Sequence, residues 1–273
     1  MSNLALRFLT ALVALPLLVL SIRWEKPHAV WVWVLFAQIA GLREWMNMTM
    51  PKEPVLNRAV PVLLGVVLGT MVCWIPDGRL LLMGVWAVTV LLFLFFLFRY
   101  RPIDTVAARV SAAIAGVFYA GLLICPLMQF KLRPAGDGAA WIFICLTSAW
   151  LSDTGAYFAG RFLSPFIPGK LWEAISPKKT MIGGVGGLAG SLASLAIAKL
   201  WYLPTLSWVD VVAIAVPANI LGQLGDLAES LIKRSVGVKD SGVLLPGHGG
   251  MLDRIDALLF VVPYVYAYAQ LRF

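Results

Sequence analysis

The sequence predicts an all-α, polytopic membrane protein with about nine transmembrane helices, and three observations carry that prediction. Of its residues 60% are hydrophobic and only 13% are charged, against roughly 25% charged in soluble domains. The mean hydropathy is +0.86. Apolar segments near the ~20 residues needed to cross the hydrocarbon recur along the whole length. A soluble fold this apolar could not cover its surface with polar groups, whereas lipid solvates an apolar exterior. The 273 residues suit one compact integral membrane domain, with no room for a large soluble domain beside it.

The predicted spans run 5–22, 28–46, 59–75, 80–98, 107–130, 139–161, 181–203, 208–229 and 252–271. The first has Arg7 in its N-terminal part and an apolar stretch behind it, as a secretory signal does. Ser21-Ile22-Arg23-Trp24 lacks the small-x-small pattern of a cleavage site, so a retained anchor is expected. The third span is short, and the eighth continues as a polar helix. The seventh opens Met181-Ile182-Gly183-Gly184-Val185-Gly186-Gly187-Leu188-Ala189-Gly190, with Gly183/Gly187 and Gly186/Gly190 at GxxxG spacing. That pattern predicts close helix packing; close approach of backbone to a phosphate at the helix start is the alternative.

Charge sets the orientation. With the N-terminus and the even-numbered loops on one side, that side holds 15 of the 22 Lys and Arg residues. The basic side is expected to be cytoplasmic, with the N-terminus inside and, for nine spans, the C-terminus outside. Two longer connections, 162–180 and 230–251, fall on that side, where a membrane enzyme would meet a soluble substrate. The formal charge of +8 is spread through short loops. That suits anionic lipid headgroups and excludes nucleic acid as the expected partner. Cys73, Cys125 and Cys145 each lie in an apolar run and form no CxxC pair, so they read as small buried hydrophobes.

Ionisable groups within apolar spans are costly and point to function. Span six carries Asp153 in Ser152-Asp153-Thr154-Gly155. Span eight ends with Asp226, Glu229, Ser230 and Lys233 at i, i+3, i+4 and i+7, hence on one helix face. Acid and base on that stripe could simply pair, or they could serve a cation and a phosphate. The loop that follows is rich in glycine, and its amides can approach an anion. Lys233, Arg234, Lys239 and Arg254 supply positive charge for phosphates. Asp253 and Asp256 open span nine at i, i+3, and carboxylates so placed can hold a hard cation through oxygen. With Asp226 they are expected to form a magnesium site at the ends of two facing helices. The region reads as a metal–polyphosphate site at the cytoplasmic boundary.

The same residues form a signature. The run Ser230-x-Ile232-Lys233-Arg234-x4-Lys239-Asp240-x-Gly242-x2-Leu245-Pro246-x-His248-Gly249-Gly250-Met251-x-Asp253-Arg254-Ile255-Asp256 resembles the hallmark of the CTP:phosphatidate cytidylyltransferases (CDP-diacylglycerol synthases) of bacterial type. Ser152-Asp153, Glu44-Trp45 and Ser176-Pro177-Lys178-Lys179-Thr180 before a glycine-rich helix resemble that family too. The resemblance is specific in the C-terminal half and general before about residue 140. One departure follows Thr180: where the family usually continues with an aromatic residue and then Glu or Gln, this chain has Met181 and Ile182.

The resemblance implies transfer of CMP from CTP to phosphatidate, giving CDP-diacylglycerol and pyrophosphate for phospholipid biosynthesis. It implies a catalytic part at 138–273 and N-terminal helices at 1–137 as a scaffold or homodimer part. Asp226 and Asp253 are expected to hold Mg2+, with room for a second cation. Asp226, Lys233, Asp253 and Asp256 are the expected catalytic residues. Ser176, Lys178, Lys179, Ser230, Arg234, Lys239, Gly249, Gly250 and Arg254 are expected to contact substrate, with Asp153, Asp240 and His248 shaping the site. His248 could instead orient the loop by hydrogen bonding. Two other readings stand beside this one. A relative of the same superfamily would use CTP to phosphorylate a polyprenol or similar lipid alcohol. An ion-coupled transporter would use Asp153 and Asp226 for its coupling ion, but would leave the Lys, Gly and Asp of 230–256 without a purpose.

Overall fold

The computed structural model describes residues 3–75, 77–244 and 249–273, with backbone only for 3–11. Each of the nine apolar segments coincides with a helical run, because a chain without water must satisfy its backbone internally. The helices are α1 (Asn3–Arg23), α2 (His28–Thr49), α3 (Val55–Trp74), α4 (Gly78–Leu97), α5 (Val106–Gly116), α6 (Pro126–Lys131), α7 (Gly138–Leu163), α8 (Met181–Ile197), α9 (Trp208–Ser235) and α10 (Leu252–Arg272). The fifth apolar segment is one interrupted run in which a π-helical stretch, Val117–Leu122, follows α5. The fold is not purely helical: a two-stranded antiparallel hairpin, β1 (Lys170–Trp172) and β2 (Ser176–Thr180), occupies the connection before α8.

Among the described residues, five of these runs are long and apolar enough to cross a membrane: Val55–Trp74, Gly78–Leu97, Ile103–Lys131, Met181–Tyr202 and Trp208–Ser235. The expected nine is larger, and the reason is chemical. Helices α2, α7 and α10 have comparable length but carry polar residues: Gln38, Arg43 and Glu44; Ser148, Ser152 and Asp153; Asp253, Arg254 and Asp256. Within α1, Leu12–Arg23 forms a shorter apolar stretch.

The chain divides into two compact units. The first comprises residues 1–129 and 240–254. Its core includes Leu42, Met46, Leu68, Leu92, Phe96 and Val117, all essentially inaccessible. The π-helical stretch breaks the regular ladder, and Gln38 on α2 donates to the Gly121 carbonyl there at 2.8 Å. Buried Arg109 gathers the carbonyls of residues 99–102 and lies 3.4 Å from Glu53. Along α4, Trp86, Phe93 and Leu97 are exposed, as a lipid-facing surface requires.

The second unit comprises residues 130–239 and 255–273. Here α7 and α8 lie in close contact along their glycines. A Cβ on Gly186 would sit 2.5 Å from the Gly155 carbonyl oxygen, and one on Gly190 would run into that of Leu151. The GxxxG spacing thus serves close packing. Helix α9 starts with a capping box, Ser207 and Asp210. Near that end, Tyr268 and Arg272 of α10 both donate to Asp210, at 2.6 and 3.3 Å. Gly225 admits the α10 backbone farther along, where a Cβ would lie 2.6 Å from the Asp256 carbonyl oxygen.

Candidate active site

In the second unit the polar stripe of α9 is realised, with a division of labour that periodicity does not show. Lys233 donates to Glu229 at 2.6 Å, and both side chains are buried. Asp226 turns instead to Lys179, whose ammonium lies 2.7 Å from Oδ2, with both side chains partly exposed. Ser230 donates to Oδ1 of Asp226 at 3.3 Å. Asp256 is half-buried and accepts from the Ala257 amide at 2.7 Å. It lies within electrostatic reach of Asp226, Glu229 and Asp153. Lys179 and Lys233 offset part of that concentrated negative charge.

The hairpin brings Lys179 to this place. Strand β2 ends at Thr180, whose hydroxyl accepts from the Gly183 amide at 3.1 Å and caps α8. The preceding lysines thereby enter a cleft of about 450 Å3, lined by Asp153, Tyr157, Arg161, Lys178, Lys179 and Asp226, among others. This volume falls in the range of ~300–1,000 Å3 typical of small-ligand sites. The cleft sets three cations beside two carboxylates, a composition suited to a polyphosphate accompanied by a metal ion. Ser176 lies at the start of β2, half-buried. Arg234 is exposed and donates to the Val238 carbonyl at 3.2 Å, and Lys239 is exposed in the loop beyond.

Gln223 was not anticipated as part of this cleft. Its side chain donates to Gly184 O at 3.3 Å and to Asn219 Oδ1 at 2.9 Å, while its carbonyl accepts from Lys179 at 3.3 Å. Ser152 joins the same chain by donating to Asn219 at 2.8 Å. A signal existed, since Gln223 precedes Asp226 by three residues on the same face. Tyr157 and Arg161 could have been found the same way, one and two turns beyond Asp153 on α7.

In the first unit a second cluster surrounds Asp253. Its Oδ2 accepts from the Ser241 amide at 3.0 Å, the Ser241 hydroxyl at 3.1 Å and the Gly250 amide at 2.9 Å. Ser241 also lies 2.9 Å from Oε2 of Glu44 on α2, so one hydroxyl proton serves two carboxylates. Gly249, at φ +83°, adopts a left-handed conformation, and Gly250 has no room for a side chain. Asp240 and Arg254 are exposed. His248 lies outside the described residues.

Among the described residues, no three His, Cys, Asp or Glu side chains converge as a ready metal cage. The donor chemistry still fits magnesium, which is commonly held by one or two carboxylates together with substrate phosphates.

The profile of the "Cytidylyltransferase family" matches residues 5–272. The phosphatidate cytidylyltransferase of Staphylococcus haemolyticus (strain JCSC1435) is 32% identical over 264 residues, covering 94% of this chain and 95% of that protein. That of Staphylococcus aureus (strain COL) is 32% identical over 272 residues with the same coverage. That of Bacillus subtilis (strain 168) is 43% identical over 129 residues, 47% of each chain. With bacterial relatives along nearly its full length and several helices fit to cross a bilayer, this chain belongs to the cytidylyltransferase family of multi-pass membrane enzymes.

Proposed function

We propose that the protein transfers the cytidylyl group of CTP to phosphatidate, forming CDP-diacylglycerol and releasing pyrophosphate. The observation that carries this reading is the cleft in which Lys178, Lys179 and Arg161 stand beside Asp226 and Asp153, in a chain similar throughout to phosphatidate cytidylyltransferases. A phosphate oxygen of phosphatidate attacks the α-phosphorus of CTP. A new P–O bond forms as the bond from that phosphorus to the bridging oxygen breaks, and the electron pair leaves with pyrophosphate. The nucleophile is already anionic near neutral pH, so no strong general base is needed. The barrier lies in bringing two polyanions together and in the charge that grows on the leaving group.

The side chains divide that work. Lys178, Lys179 and Arg161 attract and orient phosphates. Ser230 and Lys179 hold the Asp226 carboxylate, and the hydrogen bonds to Asp253 fix its orientation. Asp226 and Asp253 are each proposed as a carboxylate that would hold magnesium, which when bound would supply neutralisation of phosphate charge and of the departing pyrophosphate. Lys233 is held by Glu229 and contributes positive potential rather than a mobile hand. Phosphatidate enters sideways from the bilayer, since its acyl chains need not leave lipid.

The finer membrane assignment belongs to the same proposal. Nine spans place the N-terminus and the segment 230–251 on the cytoplasmic side of a bacterial inner membrane, as the basic-residue asymmetry supports. Residues 138–273 carry the chemistry, and residues 1–137 serve as a scaffold or homodimer part. The test is label fate. With phosphatidate supplied, label in the α-phosphate of CTP should enter lipid and pyrophosphate should appear. Label reaching lipid only from the γ-position, with CDP released, would make the protein a lipid kinase instead.

A further inference from the structure

We propose that Glu44 is a positioning residue for the segment 240–254, a role that rests on the cytidylyltransferase reading of that segment. The argument starts from the beginning of α10. A helix start leaves backbone N–H groups without partners, and Ser, Thr, Asp or Asn at the N-cap ordinarily takes one of them. Here the residue before α10 is Met251, which has no acceptor to offer. The cap comes from another helix. Glu44 of α2 accepts from the Met251 amide at 2.8 Å through Oε1 and from the Leu252 amide at 2.9 Å through Oε2. The remaining amides are also taken: Gly250 donates to Asp253, and Asp253 donates to the Ser241 hydroxyl at 3.4 Å. No amide from 250 to 253 is left for a substrate phosphate, so anion binding there falls to side chains.

Three features separate this from ordinary packing. Glu44 is only 7% exposed, and among the described residues its carboxylate takes hydrogen bonds from Ser241, Met251 and Leu252, all on one segment. Burying a carboxylate is costly, and the positive end of a helix is what offsets it here. The loop is also shaped around the carboxylate. A Cβ on Gly242 would lie 2.7 Å from Oε1, and one on Gly250 would lie 2.5 Å from Oε2. Finally, Ser241 bridges Glu44 to Asp253, so a shift of Glu44 reaches the Asp253 carboxylate through a single hydroxyl.

The experiment compares full-length wild type with Glu44→Gln, Glu44→Asp, Ser241→Ala and the Glu44→Gln/Ser241→Ala double variant. It measures transfer of α-labelled CTP into lipid per folded enzyme, and amide exchange followed by mass spectrometry. An amide at position 44 places donors against backbone donors, so the segment shifts, and misplacement of about 1 Å can cost ~100-fold in rate. Glu44→Gln should lower kcat by roughly that factor while KM for phosphatidate changes less than about threefold. Exchange should quicken in peptides covering 240–244 and 249–254 but not along α3 and α4. Glu44→Asp should recover part of the rate, and the double variant should be little worse than the poorer single one. Should Glu44→Gln not fold, Gly242→Ala presses on the same carboxylate from the loop side and should reproduce the phenotype. A kcat within about threefold of wild type, or faster exchange throughout the chain, overturns the proposal, as does failure of both variants to fold. If wild type itself transfers no label, the cytidylyltransferase reading fails, and the exchange comparison still reports whether Glu44 holds the segment.

Discussion

Replacing Asp226 by Asn separates a structural ion pair from a working carboxylate. Asp226 and Lys179 lie 2.7 Å apart, with side chains 35% and 22% exposed. A pair this accessible contributes about 0–1 kcal/mol to stability. The shape-conserving Asn keeps its one carbonyl oxygen as an acceptor for Lys179, and its NH2 can donate to the Ser230 hydroxyl, so the expected loss lies in the lower half of that range. For a chain of this size it amounts to a fall in Tm of no more than about 2 °C. If the same carboxylate holds a cation against substrate phosphates, removing its charge forfeits an electrostatic interaction made in the transition state. Losses of that kind run to about 3–4 kcal/mol, or 10²–10³-fold in kcat. The two magnitudes differ enough to be told apart in one preparation. Purified Asp226→Asn should unfold within a few degrees of wild type and turn over at least 100-fold more slowly with α-labelled CTP and phosphatidate. Lys179→Met, which leaves Asp226 in place, should raise KM for CTP by about tenfold as a phosphate contact is lost. Near-normal turnover in Asp226→Asn would remove this carboxylate from the mechanism. A collapse in Tm matching the loss of activity would make the pair architectural.

Chelation of divalent metal should abolish wild-type turnover and added magnesium should restore it, while Asp253→Asn should lose about 100-fold in kcat; turnover persisting in excess chelator would remove the metal from the proposal. Gly190→Ala, which sets a methyl against the Leu151 carbonyl, should destabilise the second unit by about 1–3 kcal/mol, and an unchanged Tm would show that α7 and α8 can separate freely. For topology, Ser241 is buried whereas Val243 is 92% exposed, so a probe belongs at the latter. With Cys73, Cys125 and Cys145 all buried, Val243→Cys should resist an impermeant reagent in intact cells and react once they are opened; ready labelling from outside would reverse the orientation.

Helix position and helix face were both legible in the sequence, because both are local. Twenty apolar residues in lipid have little choice but to coil, and a period of 3.6 puts Asp226, Glu229, Ser230 and Lys233 on one side whatever surrounds them. The glycine spacing that brings α7 against α8 is local in the same sense. Partner choice is local only in part. Lys233 lies one turn from Glu229 and two from Asp226, so the Lys233–Glu229 pairing follows from helix spacing; Asp226 finds its partner only through the hairpin, which brings Lys179 into the cleft. Glu44 shows the limit most plainly. It stands 197 residues from Ser241 and over 200 from the amides it caps. Its neighbours in the chain are apolar or basic, and nothing in its spacing points to the start of α10. A carboxylate finds a helix end through space, so which acid caps which helix was settled by tertiary packing alone.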